Sequence, residues 1–288
     1  MARGAGIDRV SVGAFLVLAF GLAWACFIGL PALGLPFVVT GNAGMLCPAI
    51  AALAVRLVRH EPLRGLGLWP LGSGRWYVAA YLIPPALIVA GAGLALATGY
   101  QRWDLHLPPL PPGLALTPQE LLALGLVQVF TVNAVINLVF TLGEELGWRG
   151  HLLPRLSPLG GPVAAVVVGV IWGLWHAPVI ALFGLGAVVG LPEFGMKSWA
   201  LAPFFCLTTI PLGVIYAWLR FRSGAVWPCV LAHAMANSGL AALAVLALSA
   251  PGSMLIGGPI GLLGVAPAWA LTIWLIATRR VRAPEPAS

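Results

Sequence analysis

Apolar residues in this chain fall into long runs bounded by Arg, Pro and Gly. Eight of the runs are long enough to cross a bilayer as a helix, which takes about 20 residues. They cover residues 10–33, 38–58, 76–99, 119–146, 161–184, 199–219, 226–250 and 257–278. The first follows Arg3 and Arg9, as a secretory leader would, but its apolar stretch is too long for an h-region and no A-x-A site ends it. Ala23-Trp24-Ala25 is also a poor approach to a lipidated Cys26, so the run reads as a span.

Composition agrees with the pattern. Of 288 residues, 60% are hydrophobic before 36 glycines are counted, and 8% carry a charge. A soluble domain carries about 25% charged residues. This excludes a cytosolic globular protein, and the hydrophobicity excludes a disordered one. Four cysteines cannot form the dense framework of a disulfide-stapled fold. Cys26, Cys47, Cys206 and Cys229 fall inside the spans without a C-x-x-C and read as small buried apolar residues.

The few charges report orientation. With eight spans and a cytoplasmic N-terminus, the inner set is Arg3, Arg9, Arg56, Arg59, Arg64, Arg75, Arg149, Arg155, Arg220, Arg222, Arg279, Arg280 and Arg282, leaving only Arg102 and Lys197 outside. That bias predicts an all-α polytopic membrane protein of about eight transmembrane helices, N-in and C-in. The net charge of +7 is then a topology signal and not a nucleic-acid footprint, since no soluble basic module exists. Residues 105–112 (LHLPPLPP) read as an extended outer connector and 284–288 as a frayed tail, and no internal repeat appears. The Ala/Gly/Arg/Pro-rich composition points to a prokaryotic plasma membrane.

Ionisable groups at membrane depth cost about 2.5–3.5 kcal/mol or more and mark function by default. Three places carry polar groups at such depth. At the inner end of the fourth span, Glu144 and Glu145 project about 100° apart on a helix, and Arg149 lies four residues beyond Glu145, the favourable order for an ion pair. Glu144 is left free. Gly143 and Gly147 form a small-xxx-small pair that lets a neighbouring helix approach beside the acids. In the fifth span Trp172 and His176 share a face, and in the seventh His233 and Asn237 do. Counted inward from the basic end, and with the fourth span helical as far as about Arg155, Glu144, His176 and His233 lie at similar depth, about 15–24 Å in at 1.5 Å per residue.

A carboxylate, two imidazoles and an amide at one level are the parts of a water-dependent acyl hydrolase. Glu144, oriented by His176, would activate water, while His233 and Asn237 would donate to the developing oxyanion. Glu145 and Arg149 would hold the helix and set the local field. The same Glu144, His176 and His233 would equally suit a divalent metal such as zinc, so a cofactor-free and a metal-dependent version both remain. Other intramembrane hydrolases lack their parts here: there is no H-E-x-x-H and no G-x-S-G, Asp8 and Asp104 lie outside the spans, and the single lysine, Lys197, is in a loop.

The ordered set Glu144-Glu145-x-x-x-Arg149, Trp172-x-x-x-His176 and His233-x-x-x-Asn237 resembles the CPBP family, the CAAX proteases and bacteriocin-processing enzymes, which includes type II CAAX prenyl endopeptidases and Abi proteins. The family pattern is E-E-x-x-x-R, F-x-x-x-H and H-x-x-x-N. The one departure is Trp172 in place of Phe. The resemblance covers about residues 119–250. It implies a catalytic core there, and the spans outside it leave a three-helix membrane region at 1–118 and a last helix with a basic tail at 251–288. It also implies a conical catalytic cavity among the helices of the second half, open to the cytosol and lipid. The activity it implies is a glutamate-dependent endopeptidase acting on a membrane protein or a lipidated, possibly prenylated CAAX-type, peptide. Rival readings are a transporter with a midplane polar site and a non-catalytic scaffold. Against the first, the polar groups crowd into one half of the chain without a repeat. Against the second, the motif positions are intact.

Overall fold

A computed structural model of the chain describes residues 6–103, 116–189, 196–245, 248–249 and 253–283. Arg3, Asp104, the connector 105–112 and the tail 284–288 lie outside the described residues. The architecture is helical. Its long elements are α1 (Arg9–Ala32), α2 (Phe37–Val58), α3 (Gly74–Ala97), α4 (Pro118–Leu159), α5 (Gly161–Phe183), α6 (Leu201–Ser223), α7 (Trp227–Val245) and α8 (Met254–Ala277). Seven are long and apolar enough to cross a membrane, and α7, which carries His233, Asn237 and Ser238, is the eighth. The protein is an integral, multi-pass membrane protein. Extended structure among the described residues is confined to a two-residue antiparallel pairing, Arg102–Trp103 with Leu248–Ser249.

Local signals explain where the helices start and bend. Asp8 caps α1 by accepting from the Ser11 amide, and Thr117 with Glu120 forms a capping box at the start of α4. Helix α4 runs on well past residue 146 and contains two wide π-type turns, Val129–Asn133 and Leu146–Leu152. The second follows the paired acids directly, a placement common at functional positions. In α5 the helical bonding breaks at His176, before Pro178.

Close helix contacts are made through glycine. A Cβ on Gly143 would stand 2.5 Å from the Met45 carbonyl oxygen, and one on Gly147 would collide with Pro48. This is the close approach the small-xxx-small pair predicts, and it presses α2 against the acid-bearing stretch of α4. Gly169 and Gly173 do the same between α5 and α6, where a Cβ on Gly169 would come 2.7 Å from the Ile210 Cα. Thr141 donates across to the Val230 carbonyl and ties α4 to α7. All four cysteines are free, yet Cys26 and Cys47 face each other across α1 and α2 with their sulfurs 3.9 Å apart, a proximity their spacing does not announce.

One end of the bundle is tied by charges. Arg59 donates to Asp8 (2.7 Å) and to Glu61 (3.0 Å), while Arg155 donates to Glu61 and to the Ser11 hydroxyl (2.8 Å). Burial alone would push the Glu61 carboxyl up, but the hydrogen bonds from Arg59 and Arg155 and the nearby Arg155 and Arg56 charges outweigh it and hold the group below its usual 4.5. The segment after α2 folds beneath the bundle here: Arg56 donates to the Pro62 carbonyl, the Val226 amide to Gly67 and the Trp227 indole to Leu68. Arg9, Arg64, Arg75, Arg220, Arg222, Arg279, Arg280 and Arg282 stand at helix ends or in segments on this same side, whereas Arg102 and Lys197 stand at the other.

Candidate active site

The paired acids of α4 have separate surroundings, as their angular separation requires. Glu145 is fully buried and its Oε1 accepts from Arg149 (2.8 Å) and from Nδ1 of His233 (3.0 Å). The guanidinium of Arg149 lies between the rings of Trp172 and Tyr216, 4.8 and 4.9 Å from their centroids. A buried cation thus has a carboxylate on one side and two aromatic faces around it, which offsets part of its desolvation.

Glu144 is also buried and is not free. Its Oε2 accepts from the indole N–H of Trp172 (2.5 Å) and of Trp148 (3.2 Å). The expectation that His176 orients Glu144 is corrected here. Nδ1 of His176 bonds instead to the carbonyl of Trp172 (2.8 Å), within its own helix, because the break in α5 turns the imidazole back onto that exposed carbonyl. With both Nδ1–H groups of His176 and His233 committed to acceptors, each ring has its Nε2 left. No described protein donor reaches Oε1 of Glu144.

These groups line one cavity of about 460 Å³. Glu144, His176, His233 and Asn237 all border it, together with Trp172, while Glu145 and Arg149 lie behind. The sequence reading places the cavity among the second-half helices alone; in the structure Phe27 of α1 and Phe37, Val38, Asn42 and Met45 of α2 form part of its wall. The glycine contacts between α4 and α2 are the cause.

Several contributors carry weak or no signal in the chain. Trp148 stands four residues after Glu144 and Asn137 seven before it, so both share its helix face. Asn137 donates to the Asn133 carbonyl (2.9 Å), released by the first π-type turn, and so presents Oδ1 to the amide of Asn237 at 3.5 Å. Tyr216 and Asn42 arrive from helices without a motif, and only tertiary packing reveals them.

Glu144, His176 and His233 are the right donor types for zinc. Among the described residues, however, no three His, Cys, Asp or Glu side chains converge as a metal-holding group. Oε2 of Glu144 is taken up by two indoles. No such preformed group is described, and no step below passes through a metal.

The resemblance carried by the three motifs can be set against known proteins. Residues 123–239 match the family model described as type II CAAX prenyl endopeptidase Rce1-like. This segment is similar to that family. It holds every residue of the three motifs, from Glu144 to Asn237. Over 81 residues the chain is 32% identical to a protein named CAAX prenyl protease 2 from Methanococcus maripaludis, a stretch that spans 28% of the length of each. The matched segment falls within α4 to α7, the helices that bring the polar groups together.

Proposed function

We propose that the chain is an intramembrane endopeptidase that hydrolyses a peptide bond of a membrane-associated substrate with water activated by Glu144. The observation that carries this reading is the state of that carboxylate. Two indoles hold Oε2, and Oε1 is left for the cavity that His176, His233 and Asn237 also border. In this reading Oε1 takes a proton from a water molecule as the water oxygen attacks the peptide carbonyl carbon. His176 accepts from the same water through Nε2 and orients it. The carbonyl oxygen becomes an oxyanion that accepts from the Asn237 amide and from the Nε2–H of a His233 imidazolium, whose other N–H rests on Glu145. Collapse of the intermediate breaks the C–N bond, and Glu144 passes its proton to the leaving amine. Products are a carboxylic acid and an amine, which become carboxylate and ammonium when the acid proton passes to the amine, and Glu144 is restored.

Similarity of residues 123–239 to the Rce1-like family supports peptidase chemistry, and the name of the archaeal relative suggests a lipidated, possibly prenylated CAAX-type, peptide among the candidate substrates. Residues 119–250 are the proposed catalytic core, in a prokaryotic plasma membrane, with no metal required. The test compares protein fragments in membranes expressing wild type or Glu144→Gln. Fragments present only with wild type support the reading; identical sets, with both proteins inserted and purified as single species, refute it. Chelation followed by metal analysis decides the metal question, since full activity in a metal-free preparation leaves no role for one.

A further inference from the structure

Helices α4 and α7 are joined by polar contacts along their common face. Oε1 of Glu145 meets Nδ1 of His233 at 3.0 Å, the buried Thr141 hydroxyl lies 3.2 Å from the Val230 carbonyl, and the Asn237 amide donates to Oδ1 of Asn137 at 3.5 Å. The last contact differs from the other two, because both of its residues border the cavity. A primary amide has two unlike sides, an NH2 group that donates and an oxygen that accepts. Its terminal torsion is roughly two-fold, so a free asparagine presents either side at similar cost. Which side of Asn237 faces the cavity decides what it does there. The nitrogen stabilises a developing oxyanion, and the oxygen repels it.

The orientation is set from the backbone outward. A carbonyl only accepts, so the Asn137 atom that meets the Asn133 carbonyl at 2.9 Å is Nδ2. Oδ1 of Asn137 is thereby turned toward α7. It too only accepts, so the Asn237 atom that meets it is Nδ2. That nitrogen carries two hydrogens, of which one is directed at Asn137 and the other is left for the cavity. We infer that Asn137 is a positioning residue, which holds the Asn237 amide with its nitrogen and not its oxygen presented to the oxyanion. At 3.5 Å the contact is long for an N–H···O bond, and its part is to select between two orientations of one amide. The oxyanion belongs to the proposed peptidase function, on which this role rests, but the orientation of Asn237 does not depend on it.

Two readouts test it on the full-length protein in detergent. The first is a double-mutant cycle on a peptide with a Glu144-dependent cut site, using Asn137→Leu, or Asn137→Ala should the leucine variant fail to insert. In the wild-type background the variant should lower kcat by about 3- to 10-fold, the order a single neutral hydrogen bond supplies, with KM unchanged. In the Asn237→Ala background it should have no further effect, since the group it positions is gone. Wild-type kcat, a change confined to KM, or the same fall in both backgrounds overturns the inference. The second readout needs no substrate. Asn42, Asn133, Asn137 and Asn237 are the only asparagines in the chain, so asparagine-selective 15N labelling gives few side-chain NH2 pairs, and the pair lost in Asn237→Ala is that of Asn237. In Asn137→Leu one hydrogen of this pair should move upfield by more than its geminal partner. A pair that stays in place, or whose two hydrogens move alike, overturns the inference. The expected displacement with no Glu144-dependent cleavage removes the peptidase reading and leaves the orientation of Asn237 standing.

Discussion

Trp172→Phe is the sharpest perturbation of this site, because it deletes one N–H and keeps an aromatic ring where the family pattern itself places Phe. The lost bond is the 2.5 Å contact to Glu144, buried on both sides. A hydrogen bond to a charged group contributes about 1.5–3 kcal/mol. At 1.4 kcal/mol per tenfold, its loss from the geometry of the base corresponds to a fall in kcat of roughly 10- to 100-fold. KM should change little, since the indole N–H is directed at Glu144 and not at the peptide. The ring contacts of Trp172 with Arg149 and His233 persist in Phe, so the thermal midpoint should stay close to wild type. The assay is kcat and KM on a peptide taken from a Glu144-dependent fragment. Alongside it, the indole 15N–1H spectrum of the 12 tryptophans should contain one resonance that is absent in Trp172→Phe and displaced in Glu144→Gln. Wild-type kcat in Trp172→Phe, with Glu144→Gln inactive, would refute the claim that this indole positions the base.

Arg149→Met leaves Glu145 buried with only His233 as partner, and should cost about 3–5 kcal/mol, read as a large drop in melting temperature in detergent. Asn237→Ala should lower kcat by about 10²–10³-fold with the fold retained, as loss of an oxyanion donor does, measured by the same peptide assay. Gly147→Ala places a methyl group into Pro48 and should destabilise the α2–α4 contact by about 1–3 kcal/mol, visible in thermal unfolding. The Glu61 carboxyl sits below 4.5 in the folded protein, so its contribution is complete above that pH and is lost as pH falls through the lowered folded value. Melting temperature should therefore decline in acid below about pH 4.5, and Glu61→Gln should flatten that limb.

Lipid as the solvent, the number of spans and the residues worth attention were legible in the chain itself. Burying a charge in a membrane is costly enough that Glu144, Glu145, Arg149, His176 and His233 stand out against apolar runs without any coordinates. The Glu145–Arg149 pair was legible too, because i, i+4 geometry is local to one helix, and so was the close approach at Gly143 and Gly147. What lies between helices was not. Helical spacing orders residues on a face but does not say which face meets which. That is why the chain could not indicate that two indoles hold Glu144, that His176 turns back on its own helix, or that α2 walls the cavity. The arginines mark one end of the bundle, and only tertiary packing decides that Leu66, Trp148 and Arg149 fill the space beneath the acids at that end, because they come from separate segments.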